Sequence, residues 1–580
     1  MIFAMMGCCM NMLKNENFAN LDEENAFFPM GMFANYFPAE VICSSATRGR
    51  SDGADLLEFH NLSREEWKRF FERLKKKGYT AIHLYPRGIN INDAWEGLDR
   101  GGQANKELLS QMLDYINLAG SYGIRTQLDL FTQPEASVYC SAATQLIFGT
   151  RFCSREEEAA APPYVRRFCS GAAYTVSYER YFSDQDVRRC NIRFLELLLP
   201  QIAENPNIFA LELVHELGWR GPYAGRPNTF AWADEQAILD WAAEMIQTVR
   251  RLAPNLPVCI SSPVTGIFGY EILSWTKRLQ PDFYSLHLFP QFCGHLNGIA
   301  DFASVAEFSL KYAQAGGCAM IGEWECIDHK AQLSEWDLQL CARDIVWLSF
   351  ISGAPGVLAR LARSCGEYRS VASVLQRLQG RTLGRKKPAL GLDLQPLQAR
   401  MRLLTQCGAE ECAFGAAAWC PDTKTEDKRH RFCRQRVDPL FVQLFRQTVE
   451  LQEEGLDYDL TLSPQEYKAN RPEQVRGGIR LEVPKGYRMR QRTCADGKTV
   501  IAYLRNYERK PVWERLGKEL YAVRDRAPKP FAVRAADGWR PYVYDLDLRR
   551  WVDDFTIFYG TVTSHDFVVL LFRIEKGEES

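Results

Sequence analysis

Asn205-Pro206-Asn207-Ile208-Phe209-Ala210-Leu211-Glu212-Leu213-Val214-His215-Glu216 is the stretch from which the fold can be read. The Asn-Pro-Asn triplet is a turn signal. The apolar run that follows, Ile208 to His215, has the length and composition of a buried strand, and it ends on a carboxylate. A charged group closing a buried apolar run is costly unless it has a partner or a task. Met320-Ile321-Gly322-Glu323-Trp324 repeats the design, a strand over Ala319–Trp324 that closes on Glu323. The intervening length, roughly 100 residues, is what three α/β units require.

Working outward from these two runs, strand-like and helix-like segments alternate from Phe27 to about Arg360. The spacing predicts strands over Phe28–Phe37, Ala81–Pro86, Arg125–Phe131, Ile208–His215, Val258–Ser262, Phe283–Phe289, Ala319–Trp324 and Gly356–Ala359. Helices are predicted over Ser63–Lys77, Lys106–Tyr122, Asp186–Glu204, Ala231–Leu252, Ile299–Ala315 and Asp337–Ile351. In the first helix Ser63 and Glu66 have capping-box spacing, Trp67, Phe70, Phe71 and Leu74 share a face, and Gly78 ends it. Eight strands separated by helices indicate a closed (β/α)8 TIM barrel, α/β in class. An open doubly wound sheet lacks support, because no GxGxxG follows an early strand. In a barrel of this kind strands four and seven oppose each other, which sets Glu216 and Glu323 across the mouth. The long loops after strands three and four, about 132–184 and 217–230, fall on the same side.

Beyond the barrel the pattern changes. Residues 366–476 mix helix (Tyr368–Leu378, Pro439–Glu453) with short strands (Pro388–Leu394, Leu456–Leu462) and read as a small α/β domain. From 477 to 580 short strands such as Thr499–Arg505, Tyr542–Leu546 and Phe567–Phe572 alternate with turn residues and read as a C-terminal β-sandwich. The expected division is therefore 1–26 as an N-terminal extension, 27–365 as the barrel, 366–476, and 477–580.

Composition narrows the function. In 580 residues, 71 basic side chains stand against 72 acidic ones for a net charge of −1, so no basic stripe for nucleic acid is expected. No apolar run approaches the roughly 18 residues of a membrane span; the longest candidate, 345–359, is broken by Ser349, Ser352, Gly353, Pro355 and Gly356. The 18 cysteines form no CxxC pair and no compact framework, which reads as reduced thiols and a cytoplasmic protein, a secreted or periplasmic one being compatible only with a truncated N-terminus. Cys407, Cys412, Cys420 and Cys433 with His430 are too irregularly spaced for a zinc site. His215-Glu216 is not the start of HExxH, because Trp219 stands where the second histidine belongs. No metal or other cofactor is expected.

Opposed carboxylates suit glycoside hydrolysis, where one protonates the leaving oxygen and the other attacks or activates water. At this point the chain resembles the retaining glycoside hydrolase clan A of (β/α)8 barrels. Asn205–Glu216 is similar to that clan's fourth-strand signature and Ile321-Gly322-Glu323-Trp324-Glu325 to its nucleophile strand. YGIRTQLDL (122–130), FYSLHLFP (283–290) and RDIVWLSFISGAPGVL (343–358) match the third, sixth and eighth strand regions. The resemblance covers about Phe27 to Leu358. It implies Glu216 as acid/base and Glu323 as nucleophile, with Glu325 the competitor for the second role, and a pKa for Glu216 raised by its ionised neighbour. His215 replaces the clan's usual Asn, Arg87 or His83 is the available substitute for its second-strand arginine, and Arg360 stands where a sugar-stacking Trp is common.

A retaining β-glycosidase acting on an oligo- or polysaccharide is thus the first expectation, with His215, His287, Arg87, Tyr85, Asp129, Trp219, Trp324 and Arg360 around the substrate. Trp95, Tyr223 and Trp232 are further stacking candidates. A catalytically inactive carbohydrate-binding barrel is the alternative, motivated by His215 and Arg360. A metal-dependent lyase or isomerase ranks last, because no cluster of Asp, Glu and His on consecutive strand ends is visible. Arg360 suggests a bias toward an anionic sugar, unless it pairs with a local acid such as Glu367. The barrel, α/β domain and β-sandwich in series also resemble the layout of family 42 β-galactosidases, whose middle domain helps oligomerise, and a homo-oligomer is an expectation that comes with it.

Overall fold

The computed structural model describes residues 28–38, 54–84, 106–131, 182–217, 235–261, 270–288, 302–324, 335–360, 366–397, 439–462, 481–552 and 561–574, apart from short gaps inside these ranges. Eight parallel strands close a barrel: β1 (Met30–Phe33), β2 (Ala81–Leu84), β3 (Arg125–Phe131), β4 (Ile208–Val214), β5 (Val258–Ser261), β6 (Phe283–Leu288), β7 (Ala319–Trp324) and β8 (Val357–Ala359). Each pairs with its neighbour in the chain, and β8 returns to β1 with Met30 opposite Val357. The (β/α)8 architecture anticipated from the alternating pattern is the one formed.

The helices follow in strict alternation: α1 (Arg64–Lys76), α2 (Lys106–Ser121), α3 (Gln185–Ile202), α4 (Glu235–Leu252), α5 (Tyr270–Leu279), α6 (Phe302–Gln314), α7 (Glu335–Ser352) and α8 (Gly366–Arg377). Helix α1 forms for the reasons its sequence suggests. Ser63 and Glu66 complete the capping box, Trp67, Phe70, Phe71 and Leu74 are buried, and Gly78 leaves the helix at a φ of 84°. Helix α5, ten residues long, was not anticipated. Helix α8 falls past the boundary expected at 365, yet it packs on the barrel. Its Tyr368 hydroxyl donates to the Gly31 carbonyl of β1 at 3.0 Å, and its ring meets Tyr79 edge to face.

The middle region contributes helix α9 (Pro439–Glu453) and a parallel pair, β9 (Gly391–Asp393) with β10 (Asp459–Thr461). It seats on α6, where Phe308 meets Phe445 and Lys311 Nζ donates to the Tyr458 carbonyl at 2.6 Å.

The C-terminal part is built on a five-stranded antiparallel sheet of β11 (Tyr487–Thr493), β12 (Thr499–Asn506), β13 (Trp539–Asp545), β14 (Arg550–Trp551) and β15 (Phe567–Arg573), in the order β11-β12-β15-β13-β14. All eight residues of β12 are buried. Strand side chains alternate between faces, so both faces of this sheet are covered. One face, with Ile501, Tyr503, Val568 and Leu570, joins the barrel's core, and the other, with Val500, Ala502, Leu504 and Val569, forms a second core with Phe531 and Phe567. The expected β-domain is present, its outer layer made of short ladders such as Lys529–Phe531 with Thr561–Thr563. Among the described residues no helix is long and apolar enough to cross a membrane.

Candidate active site

Strand register assembles the mouth of the barrel. In β3 and β4 Asp129 stands opposite Glu212, and in β6 and β7 His287 stands opposite Glu323. Like charges placed side by side on neighbouring strands are destabilising on their own. Three imidazoles, His83 from β2, His215 after β4 and His287 from β6, interleave with the four carboxylates and offset that repulsion.

Glu216 lies just past the end of β4 in the left-handed region, with φ of 54°. A non-glycine residue held there carries strain and is found most often at functional sites. Its backbone N–H donates to Ser261 Oγ of β5 at 2.7 Å, which pins the turn. Its carboxylate Oε1 is 2.9 Å from His287 Nδ1, and the same nitrogen is 3.5 Å from Glu323 Oε2. The sum of those two distances caps the separation of the two oxygens, below the roughly 6.5 Å at which inverting carboxylate pairs begin. Glu323 is further faced by His215 Nε2 at 3.6 Å and Arg360 Nε at 3.7 Å. Gly322 next to it has no room for a side chain: an added Cβ would sit 1.7 Å from Ser285 Oγ.

Below this pair lies a second group. His83 Nε2 is 2.5 Å from Asp129 Oδ1 and 3.3 Å from Glu212 Oε2, while His215 Nδ1 is 3.6 Å from Asp129 Oδ2 and 3.5 Å from Glu212 Oε1. Gln127 Nε2 donates to Glu212 Oε2 at 2.7 Å.

Electrostatics divides the site. Burial would lower the pKa of His287, but the charges of Glu323 and Glu216 outweigh it and raise it to about 9. Burial lowers His83. Burial and the neighbouring Glu212 push Asp129 well up, whereas Glu212, which burial alone would raise, is pulled to about 2 by His83, His215 and His287. Asp129 and Glu212 therefore behave as one pair sharing a proton.

Of the residues singled out in the sequence, Glu216, Glu323, His215, His287, Asp129 and Arg360 come together here. Trp324, which follows Glu323 and so faces the opposite side of β7, is buried in the hydrophobic core. Tyr85, Arg87, Trp219, Glu325, Trp95, Tyr223, Trp232 and the cysteines at 407–433 lie outside the described residues. Arg360 does not take Glu367 as its partner. That carboxylate accepts from Arg343 Nε at 3.0 Å and from Trp347 Nε1. The expected absence of an Asp, Glu and His cluster on consecutive strands is overturned: His83, Asp129, Glu212 and His215 come from β2, β3 and β4. Glu212 was passed over although the alternation Ile208, Ala210, Glu212, Val214 places it on a single face of its strand. That period-two signal was available.

No protein-family profile and no curated protein matches the chain. Among solved structures it is similar to the exo-β-1,4-mannosidase Op5Man5 from Opitutaceae bacterium strain TAV5, at 14% identity over 63% of this chain and 62% of that one, TM-score 0.42. It is similar to GH5_18 from Streptomyces cattleya in complex with GlcNAc at 14% identity, covering 77% of this chain and all of that one, TM-score 0.46. A β-galactosidase from the psychrophilic Marinomonas ef1 matches at 12% identity over 70% and 68% of the two chains, TM-score 0.44. The chain spans less than two thirds of the mannosidase's length. Likeness this distant bears on neither substrate nor mechanism.

Proposed function

We propose that the chain is a retaining β-glycoside hydrolase of the clan A type, acting on an oligo- or polysaccharide by double displacement. The observation that carries this reading is the convergence of Glu216 and Glu323, from the ends of opposed strands, on the one nitrogen His287 Nδ1. Glu323 is the nucleophile. Arg360 and His215 point donors at it, which steadies the carboxylate as an anion and orients one oxygen for attack at the sugar's anomeric carbon. Arg360 thus brings a guanidinium to the nucleophile, and its role is toward the carboxylate of Glu323.

Glu216 is the acid and then the base. It needs a proton at the first step. The imidazolium of His287, charged at neutral pH because its pKa is raised to about 9, keeps its own proton and holds Nδ1–H 2.9 Å from Glu216 Oε1, which fixes that oxygen and leaves Oε2 to carry the proton taken up from water. As the sugar–oxygen bond breaks, the proton passes from Glu216 to the departing oxygen. In the second step Glu216 takes a proton from water, which attacks the glycosyl-enzyme and frees Glu323.

A panel of chromogenic β-glycosides and polysaccharides, run with Glu323→Gln as the blank, tests the reading. Turnover that disappears in the variant is expected, and turnover that persists at full rate removes it. A mechanism-based fluoroglycoside that labels wild type at Glu323, located by peptide mass, separates an enzyme from an inactive carbohydrate-binding barrel.

A further inference from the structure

Two carboxylates and two imidazoles meet at the floor of the mouth, where His83 Nε2 hydrogen-bonds Asp129 Oδ1 at 2.5 Å but the far oxygen of each carboxylate is left unmet. Asp129 and Glu212 have side chains with 0% exposure. Asp129 Oδ2 and Glu212 Oε1 each lack a hydrogen-bond donor. Both oxygens face His215 Nδ1 at 3.5 to 3.6 Å, beyond hydrogen-bond length. A buried carboxylate oxygen left in this state is expensive, and two aimed at one point call for something between them. On the other side, Asp129 Oδ1 and Glu212 Oε2 face His83 Nε2. Each carboxylate therefore offers one oxygen to each imidazole, and the four residues bracket a common centre.

We propose that His83, Asp129, Glu212 and His215 bind one divalent first-row transition metal ion at this floor. The ligand atoms lie within 4.8 Å of one another. Ligands about 2.1 Å from an ion in tetrahedral or octahedral array stand roughly 3.0–3.4 Å apart, so an ion here draws in spacings that now reach up to 4.8 Å and parts His83 Nε2 from Asp129 Oδ1, now at 2.5 Å. An ion entering here displaces the proton that Asp129 and Glu212 share, and the two carboxylates then carry two negative charges, which a single divalent cation neutralises. Two imidazoles with two carboxylates select zinc, manganese, iron, cobalt or nickel over calcium and magnesium, which take oxygen alone. The surroundings supply the outer contacts such a site needs: Gln127 donates to Glu212 Oε2, and the Cys259 thiol lies 4.0 Å from the same oxygen.

Metal on His215 Nδ1 leaves the ring's hydrogen on Nε2, the atom 3.6 Å from Glu323 Oε2. The ion then fixes which imidazole tautomer faces the carboxylate assigned above as nucleophile. This consequence rests on the glycosidase reading; the binding site itself does not.

The test uses the full-length chain, purified without a metal-affinity tag and stripped with a chelator. Zinc chloride titrated in a calorimeter is expected to bind at one equivalent. Glu212→Gln and Asp129→Asn are each expected to weaken that binding by about tenfold or more, while Asp545→Asn, in a separate carboxylate–histidine group beside His565, leaves it unchanged. Should either buried variant fail to fold, cobalt(II) in wild type decides the matter. Visible bands of a nitrogen- and oxygen-ligated ion without intense thiolate charge-transfer absorption support the site. No zinc taken up by the stripped chain, full-strength binding in both folded variants, or thiolate bands would each overturn the proposal. None of these readouts involves a glycoside, so failure here is distinguishable from failure of the glycosidase assignment.

Discussion

The barrel mouth and the seam between the barrel and the C-terminal sheet both bury charge, and the carboxylates of the one and Arg343 of the other are handled in opposite ways. At the seam, Arg343 of α7 has an acceptor for every nitrogen: Nε on Glu367, Nη1 on Asp547 and Asp566 at 3.0 and 2.9 Å, and Nη2 on the Leu546 carbonyl. Three carboxylates from separate segments gather around one cation whose geometry satisfies them. At the mouth, four carboxylates gather around imidazoles whose charge depends on pH, and three of their oxygens, Asp129 Oδ2, Glu212 Oε1 and Glu323 Oε2, lack hydrogen-bond donors among the described residues. Complementary burial holds pieces together. Incomplete burial leaves capacity for a substrate, a proton or an ion.

The sharpest way to break this contrast is to neutralise one charge on each side. Glu323→Gln is expected to lower kcat/KM on an aryl β-glycoside by roughly 10^4-fold or more, with a circular dichroism spectrum like that of wild type. Glu216→Gln should cost about 10^2–10^4-fold. The loss should be smallest for aryl glycosides whose leaving group needs no protonation, and an equal loss across leaving groups would show that Glu216 is not the acid.

Arg343→Met is the counterpart at the seam. It strands Glu367, Asp547 and Asp566 in a buried setting, so the stability of the chain should fall by about 3–5 kcal/mol in denaturant titration, with kcat/KM changed only a few-fold while the chain remains folded. A large loss of activity without loss of stability would mean that the seam also serves the chemistry. Gly322→Ala acts at the mouth itself. The close approach of Ser285 makes it overpacked, with an expected cost of about 1–3 kcal/mol and an accompanying loss of activity as Glu323 is displaced.

The smallest expected effect is a pH dependence. His287 titrates near 9 in the folded chain against 6.5 when unperturbed. A raised pKa means that its contribution to stability is complete below about pH 6.5 and is lost as pH rises through about 9. A Tm profile between pH 6 and 10 should slope downward over that window. His287→Gln should flatten it, and an unchanged slope in that variant would assign the effect to another group.

Much of this molecule was legible because its strands are long apolar runs bounded by turns. Arg125–Phe131 and Ala319–Trp324 form as the sequence indicates, and the other barrel strands formed inside the predicted runs. Glu216 and Glu323 were legible for a related reason, since a charge ending such a run stands out. His83 and Glu212 were harder to see. They sit within strands, and in a barrel an inward-facing polar residue gains its meaning from strands that sequence order does not place beside it. The partner of Glu367 was beyond reach in the same way: Arg343 is assembled with Asp547 and Asp566 only when α7 meets a sheet some two hundred residues later.

Helix α7 lies between the barrel and the C-terminal sheet, and from Ala342 to Ile351 every residue is buried. Trp347, fully buried, stacks on Tyr503 of β12 and meets Phe350 edge to face, and Asp344 accepts from the Tyr503 hydroxyl at 2.7 Å. The wall of the barrel is thus also the floor of the C-terminal sheet. A chain built this way cannot be shortened at that seam without exposing what it buries. Removing the last hundred residues would uncover the indole of Trp347 and the guanidinium of Arg343 together, and the remaining barrel would lose the surface against which its seventh helix is ordered. The chain should melt in one calorimetric step, and the barrel and the sheet should be inherited as a single piece.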